Sequence, residues 1–116
     1  MSSDARYVFQ VSMDVAADKE DLFNEVYDTE HVPYLLDVPG VISVTRTRTV
    51  PFKVSIGGEV KDSAAATPRY TALYFLASPD VLTSEAWIEA VERGRWAPDV
   101  RAHTFNRAHS LSQIIS

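Results

Sequence analysis

Two periodicities alternate along the chain, and their order predicts a mixed α+β domain. Apolar side chains fall at every second position of residues 6–13, which is the pattern of a strand with one buried face. Residues 41–50 are rich in β-branched side chains, which predicts a second strand. Residues 69–77 are almost entirely apolar, so we expect a central strand that is covered on both faces. A last strand is expected from about His103 to Ile115.

Two helices are predicted between these strands. Apolar side chains recur at helical spacing from about residue 19 into the low thirties, with Asp18 as the expected N-cap. Pro33 has no backbone donor and is expected to kink or reset this first helix. The second helix is expected to follow an N-cap at Thr83 or Ser84, and Gly94 stands where a helix of this length would end.

Residues 51–68 form a long connection with a proline near each end. The pair Gly57-Gly58 favours a small hairpin within this connection. A mobile flap is the alternative, because a connection of this length in a small domain is often functional or disordered. In either case we expect the loosest packing of the chain there.

The resulting order is β-α-β-β-α-β, which predicts a ferredoxin-like antiparallel sheet with both helices on one face. A single domain over residues 1–116 accounts for all of these elements. The second face of the sheet also carries apolar side chains, among them Leu73 and Phe75. We therefore expect a two-fold homodimer in which two sheets face each other. The alternative is a monomer whose open sheet face is covered by residues 51–68.

Composition narrows the class of protein. The net charge of −5 argues against a general nucleic-acid binder, and the absence of cysteine excludes disulfides and thiolate chemistry. The longest apolar run, residues 72–77, is far too short to span a membrane. The first ten residues have no basic stretch followed by an apolar core, as a secretory signal would. We expect a soluble, cytoplasmic protein that contacts neither nucleic acid nor membrane.

The first helix carries the most suggestive cluster of polar side chains. At about 100° per residue, Glu30 falls in the middle of the apolar stripe and His31 at its edge, near Tyr27 and Tyr34. A carboxylate in such a place must be paired, be protonated or line a cavity. An imidazole, a carboxylate and two phenols suit proton transfer on a small molecule. Alternatively, Glu30 pairs with an arginine, and His31 bonds a carbonyl that Pro33 leaves free.

The last strand offers a second set of polar groups. Phe105, Arg107 and His109 are predicted to share one face, where the arginine and the histidine would bind an anionic ligand. A cross-strand ion pair or a dimer contact is the alternative for these two residues. For Arg46 and Arg48 the same two interpretations are open: they bind an anionic ligand, or they form a cross-strand ion pair or a dimer contact.

Trp96 is expected either to plug the core or to form the wall of a pocket. The three histidines do not have the spacing of metal ligands, and no phosphate-binding glycine loop or serine-nucleophile motif occurs. The sequence therefore predicts neither a metal site nor a cofactor.

Residues 23–33, which run into Leu35 and residues 38–40, resemble the dimeric α/β-barrel superfamily and most of all its EthD-like branch. The pattern Tyr-x-x-x-His-x-Pro at residues 27–33 is the most specific part of this resemblance. It extends over nearly the whole chain outside residues 51–68, through residues 70–74, 78–82, 84–87, 94–96 and 106–109.

The resemblance implies a ligand pocket between the sheet and the helices of each subunit. In this sequence the pocket would be lined by Tyr27, Glu30, His31, Tyr34 and Tyr74. Because the superfamily includes cofactor-free monooxygenases, isomerases and cyclases, it implies a small cofactor-independent enzyme that acts on a hydrophobic, oxygenated small molecule. His31 would be the acid/base and Glu30 its partner. The alternative is a non-catalytic dimer that binds a metabolite or a partner protein.

Overall fold

Most strands of the protein belong to one antiparallel sheet. The structure is a computed structural model and describes residues 5–116. Its strands are β1 (Tyr7–Val15), β2 (Val41–Arg48), β3 (Phe52–Ile56), β4 (Glu59–Ser63), β5 (Tyr70–Leu76) and β6 (Thr104–Gln113). Four of them form a sheet in the order β2-β5-β1-β6, and all neighbouring strands are antiparallel. This is the ferredoxin-like order that the sequence predicts, with β5 and β1 in the centre.

The first helical segment is less regular than its sequence pattern indicates. It consists of α1 (Glu20–Val26), a π-helical turn (Tyr27–His31) and α2 (Val32–Leu36). A separate short helical piece, α2, begins at Val32 with Pro33 in its first turn, as the expected reset at this proline predicts; the turn before it is π-helical, which the sequence does not indicate. Asp18 is not the N-cap, because it lies inside a short 3-10 turn and makes no capping bond.

The second helix, α3 (Glu85–Glu92), is capped as its sequence predicts. The Ser84 hydroxyl accepts a hydrogen bond from the backbone N–H of Trp87 at 3.2 Å. Gly94 has a φ of +74°, the left-handed conformation in which a helix often ends. Within residues 5–116, no helix combines the length and the apolar character needed to cross a membrane.

The core lies between the helices and one face of the sheet. On β5 every second side chain is buried, from Tyr70 to Leu76, whereas Leu73 and Phe75 on the opposite face are half-buried. The central position expected for this strand is confirmed, but only its helix-facing side is fully covered. Phe23, Val26, Leu35, Trp87 and Trp96 complete the core from the helical side.

A bulge opposite β1 changes the face that Phe105 occupies. The register between β1 and β6 shifts between Ser12 and Asp14, and Asn106 in the bulge has a φ of +54°. His109 therefore pairs with a residue of the helix-facing side, whereas Phe105 pairs with Asp14 on the outer side. The expectation that Phe105 shares a face with Arg107 and His109 is wrong for this reason.

Residues 51–68 contain the hairpin that Gly57-Gly58 predicts. Strands β3 and β4 pair only with each other in a separate two-stranded sheet, and both glycines have positive φ angles, +60° and +85°. All side chains of the hairpin are exposed except Ser63, which is half-buried. The hairpin thus does not bury its apolar residues against the sheet of its own chain.

Candidate functional site

A cavity of about 420 Å³ opens between the helix-facing side of the sheet and the helices. Its volume is in the range of small-molecule sites. Strand β1, the first helical segment, α3 and the segment after it supply the apolar part of the wall, formed by Phe9, Val11, Met13, Leu35, Trp87, Val91 and Trp96. Its polar lining comes from six residues: Tyr27, His31, Tyr74, Arg101, Arg107 and His109.

The π-helical turn brings His31 to the cavity. An i→i+5 turn contains more residues than an α-turn, so each residue advances by a smaller angle around the axis. The underwinding moves His31 from the edge of the buried stripe into it, and leaves the side chain only 5% exposed. The imidazole stacks on Trp96 with the ring centres 4.6 Å apart, and Tyr27 meets it edge-on at 5.0 Å.

His31 is neutral at physiological pH. Burial, with a smaller contribution from the positive charge of Arg101, lowers the pKa of His31 from 6.5 to about 4. Its Nδ1 atom is buried and has no hydrogen-bond partner among the residues that the structure describes. Buried polar atoms without a partner are uncommon in proteins, and this one belongs to a side chain that also lines the cavity.

Two phenols form a hydrogen-bonded pair beside His31. The hydroxyl groups of Tyr27 and Tyr74 lie 3.1 Å apart, and both side chains are buried. Burial raises the pKa of each phenol, so both keep their protons at neutral pH. Only one of the two protons is used in the mutual bond, so the other can be donated to a ligand.

Arg46, which does not line the cavity, packs against Tyr27 of this pair. Its guanidinium carbon lies 4.4 Å from the ring centre of Tyr27, and its nitrogens donate to Asp28 at 2.6 Å and to Asn24 at 2.8 Å. Arg46 thus forms an ion pair, but with Asp28 of the π-helical turn and not across strands as the alternative for this residue expected. Arg48 lies with Arg46 and Asn24 around a smaller, separate hollow of about 200 Å³.

Three basic side chains lie at the cavity wall next to β6. Arg101 donates to both carboxylate oxygens of Glu92 and to the carbonyl of Val91. Arg107 makes no ion pair with any residue of the described chain, and neither does His109, whose ring stacks on Phe9 at 5.8 Å. The cross-strand ion pair that was the alternative for these residues is therefore not formed within residues 5–116.

Glu30 and Tyr34 lie outside this cavity. The Glu30 carboxylate accepts hydrogen bonds from the backbone N–H of Arg95 at 2.9 Å and from its Nε at 2.5 Å. These bonds lower the pKa of Glu30, so it is an ionised structural partner that holds the loop after α3. The ring of Tyr34 lies under the guanidinium of Arg93, at 5.3 Å. The structure thus separates Glu30 from His31, which the helical wheel had placed together.

Trp96 both fills the core and forms part of the pocket wall, the two positions that the sequence left open. It is 3% exposed, belongs to the core and forms a wall of the cavity. Phe9, Trp87 and Arg101 also line the cavity but were not predicted as site residues. The alternation in β1 and the helical stripe in α3 already place Phe9 and Trp87 on the buried side, whereas nothing in the sequence indicates the position of Arg101.

No protein-family model matches this chain, and no curated protein matches its sequence. Among solved structures, it is similar to an ethyl tert-butyl ether D (EthD) family protein from Bacillus halodurans C-125. The similarity covers 94% of this chain and 99% of that protein, with a TM-score of 0.58 and 14% sequence identity. At 14% identity, a match of this extent shows that the two proteins share a fold and nothing more. The chain therefore has the EthD-like fold, an α+β domain of ferredoxin-like topology, as its sequence resemblance implies.

Proposed function

We propose that this protein is a small cofactor-independent enzyme that moves a proton on a hydrophobic, oxygenated molecule bound beside His31. One observation carries the proposal: a neutral imidazole with an unpartnered nitrogen lies in the wall of a cavity that also presents two phenols and a set of apolar side chains. A neutral imidazole has one basic nitrogen and one N–H, so it can take a proton from one atom of a ligand and return it to another. Burial holds its pKa at about 4, and negative charge that develops on the ligand beside the ring would raise this pKa and make the nitrogen a stronger base.

The phenol pair supplies the complementary group. When His31 removes a proton from a carbon or an oxygen of the ligand, negative charge develops on a ligand oxygen. The free proton of the Tyr27–Tyr74 pair can then be donated to this oxygen, since both phenols are buried side chains of the cavity wall. A base that acts on one atom of the ligand and a proton donor that acts on another suit isomerisation, cyclisation or cofactor-free oxygenation. Glu30 takes no part in it, because Arg95 holds its carboxylate.

A ligand screen followed by substitution of His31 tests the proposal. Thermal-shift measurements with aromatic acids, lactones and quinones identify compounds that stabilise the protein, and these are then assayed for turnover. His31→Ala should abolish turnover while His103→Ala, a histidine outside the cavity lining, should leave it unchanged. Turnover or ligand binding that survives His31→Ala, together with a large loss of stability, would show that the imidazole only supports the fold.

A second proposal concerns assembly. The outer face of the sheet carries the half-buried Leu73 and Phe75 and, because of the β6 bulge, Phe105 at 49% exposure. We propose that this face packs on the same face of a second copy to form a two-fold dimer. Light scattering should give twice the mass of the chain, and Phe75→Glu should give the single mass. A wild-type protein that is monomeric at micromolar concentration would refute the proposal.

A further inference from the structure

The cavity offers hydrogen-bond donors and positive charge without any carboxylate. Its six polar lining residues are two tyrosines, two histidines and two arginines, and no Asp or Glu of residues 5–116 lines it. This composition contrasts with the chain as a whole, which carries a net charge of −5. The sign of the local charge is thus opposite to that of the protein, which selects for negatively charged ligands.

The two arginines of the lining differ in what they are bonded to. The guanidinium of Arg101 is bonded to Glu92 and to a backbone carbonyl, so its donors are engaged, and the carboxylate partly offsets the effect of its charge on the pKa of His31. Arg107 has no such partner within the described chain, and the bulge at Asn106 turns it towards the helix-facing side of β6. Its charge reaches the site, because it lowers the pKa of both His31 and Tyr27. Arg107 is therefore free to pair with a ligand.

The remaining walls favour a flat ring system. Trp87 meets Phe9 edge-on at 6.0 Å and Tyr74 at 5.4 Å, and His31 and Trp96 form a stacked pair further along the wall. His109, two residues after Arg107, lays its ring on Phe9. Aromatic walls of this kind bury planar apolar ligands through stacking and edge contacts.

We propose that the ligand is a planar, apolar organic anion whose carboxylate or other acidic oxygen binds Arg107, with His109 beside it, while its rings enter the cavity. This inference rests on the proposed function, because it names the class of molecule for the same site. A guanidinium and an anionic oxygen form a charge-assisted hydrogen bond, which a neutral amide replaces poorly and an amine cannot form. An amine would also be repelled by Arg107.

Three matched probes test this: 2-naphthoate, 2-naphthamide and 2-naphthylmethylamine, measured by calorimetry with the full chain at pH 7.5. Naphthoate should bind about tenfold or more tightly than the amide, the ratio expected for one charge-assisted bond. The amine should bind most weakly. Arg107→Gln should reduce the affinity for naphthoate by the same factor and remove the preference over the amide. Arg93→Gln, which removes a charge over Tyr34 outside the cavity, should change neither.

The outcomes separate this inference from the proposed function. Equal affinity for naphthoate and the amide, or an Arg107→Gln variant with unchanged affinity for naphthoate, overturns the anion inference and leaves the cavity as a small-molecule site. Binding of none of the three probes at millimolar concentration counts against the cavity as such a site and overturns both. A circular dichroism melt of each variant verifies that the exposed substitutions leave the fold intact.

Discussion

Acidification should destabilise this protein through His31. Burial lowers the pKa of His31 from 6.5 to about 4. As the pH falls below 6.5, the unfolded chain binds a proton that the folded protein does not accept until about pH 4. The free energy of unfolding therefore decreases over this interval. Above pH 6.5 the imidazole is neutral in both states, and His31 adds no pH dependence there.

The interval between the two pKa values sets the size of the effect. At about 1.4 kcal/mol for each pH unit, the difference between 6.5 and about 4 amounts to roughly 3 kcal/mol of unfolding free energy. This is a large share of the roughly 5–15 kcal/mol that stabilises an ordinary domain. Burial is the main reason that the ring resists protonation, and Nδ1 has no acceptor within residues 5–116 that would stabilise the cation.

Urea unfolding at several pH values between 7.5 and 4, for the wild type and His31→Phe, isolates the contribution. Phenylalanine keeps a ring against Trp96 but cannot titrate. The carboxylates of surface ion pairs, and the other two histidines, are common to both proteins, so their effects cancel in the difference. The wild type should lose roughly 3 kcal/mol more than the variant across this range. Parallel pH curves for the two proteins would refute the argument.

Three other outcomes are expected. Tyr27→Phe leaves the buried Tyr74 hydroxyl without its partner and should cost about 1–3 kcal/mol in urea unfolding, part of which the double change to phenylalanine should recover. Gly94→Ala should lower the melting temperature more than Gly57→Ala, because both have positive φ but only at Gly94 would a Cβ lie 2.5 Å from Glu30 Oε1. Glu30→Gln should lower the melting temperature yet leave ligand affinity unchanged; a weakened affinity at full stability would return Glu30 to the site.

The architecture could be predicted because it is encoded in local patterns. The alternation in β1, the apolar run of β5, the cap at Ser84 and the terminating Gly94 each depend on a few neighbouring residues, and all were found where the sequence places them. The hairpin followed from two consecutive glycines in the same way. Their order is that of the ferredoxin-like arrangement, in which two helices pack on one face of an antiparallel sheet.

The site was less predictable because its geometry depends on irregularities. A helical wheel assumes a constant angle per residue, and the π-helical turn breaks this assumption between Tyr27 and His31. The wheel therefore placed Glu30 in the middle of the buried stripe and His31 at its edge, whereas in the structure His31 is the buried residue and Glu30 lies outside the cavity. The bulge at Asn106 had the same effect on β6, where it reversed the face of Phe105. In both cases an error of one position in register moved a side chain from one environment to another.

The π-helical turn also bears on how such a site can arise. A turn with i→i+5 bonding is equivalent to an α-helix into which one residue has been inserted, while the helical segments on either side keep their packing. The insertion of one residue in this turn can therefore add a side chain to an already packed core. Phe23 in the helix before the turn and Leu35 in the helix after it keep their positions. Removal of one residue from the turn reverses this step. One insertion or deletion can therefore bring the imidazole into the core or take it out, while the rest of the fold stays the same.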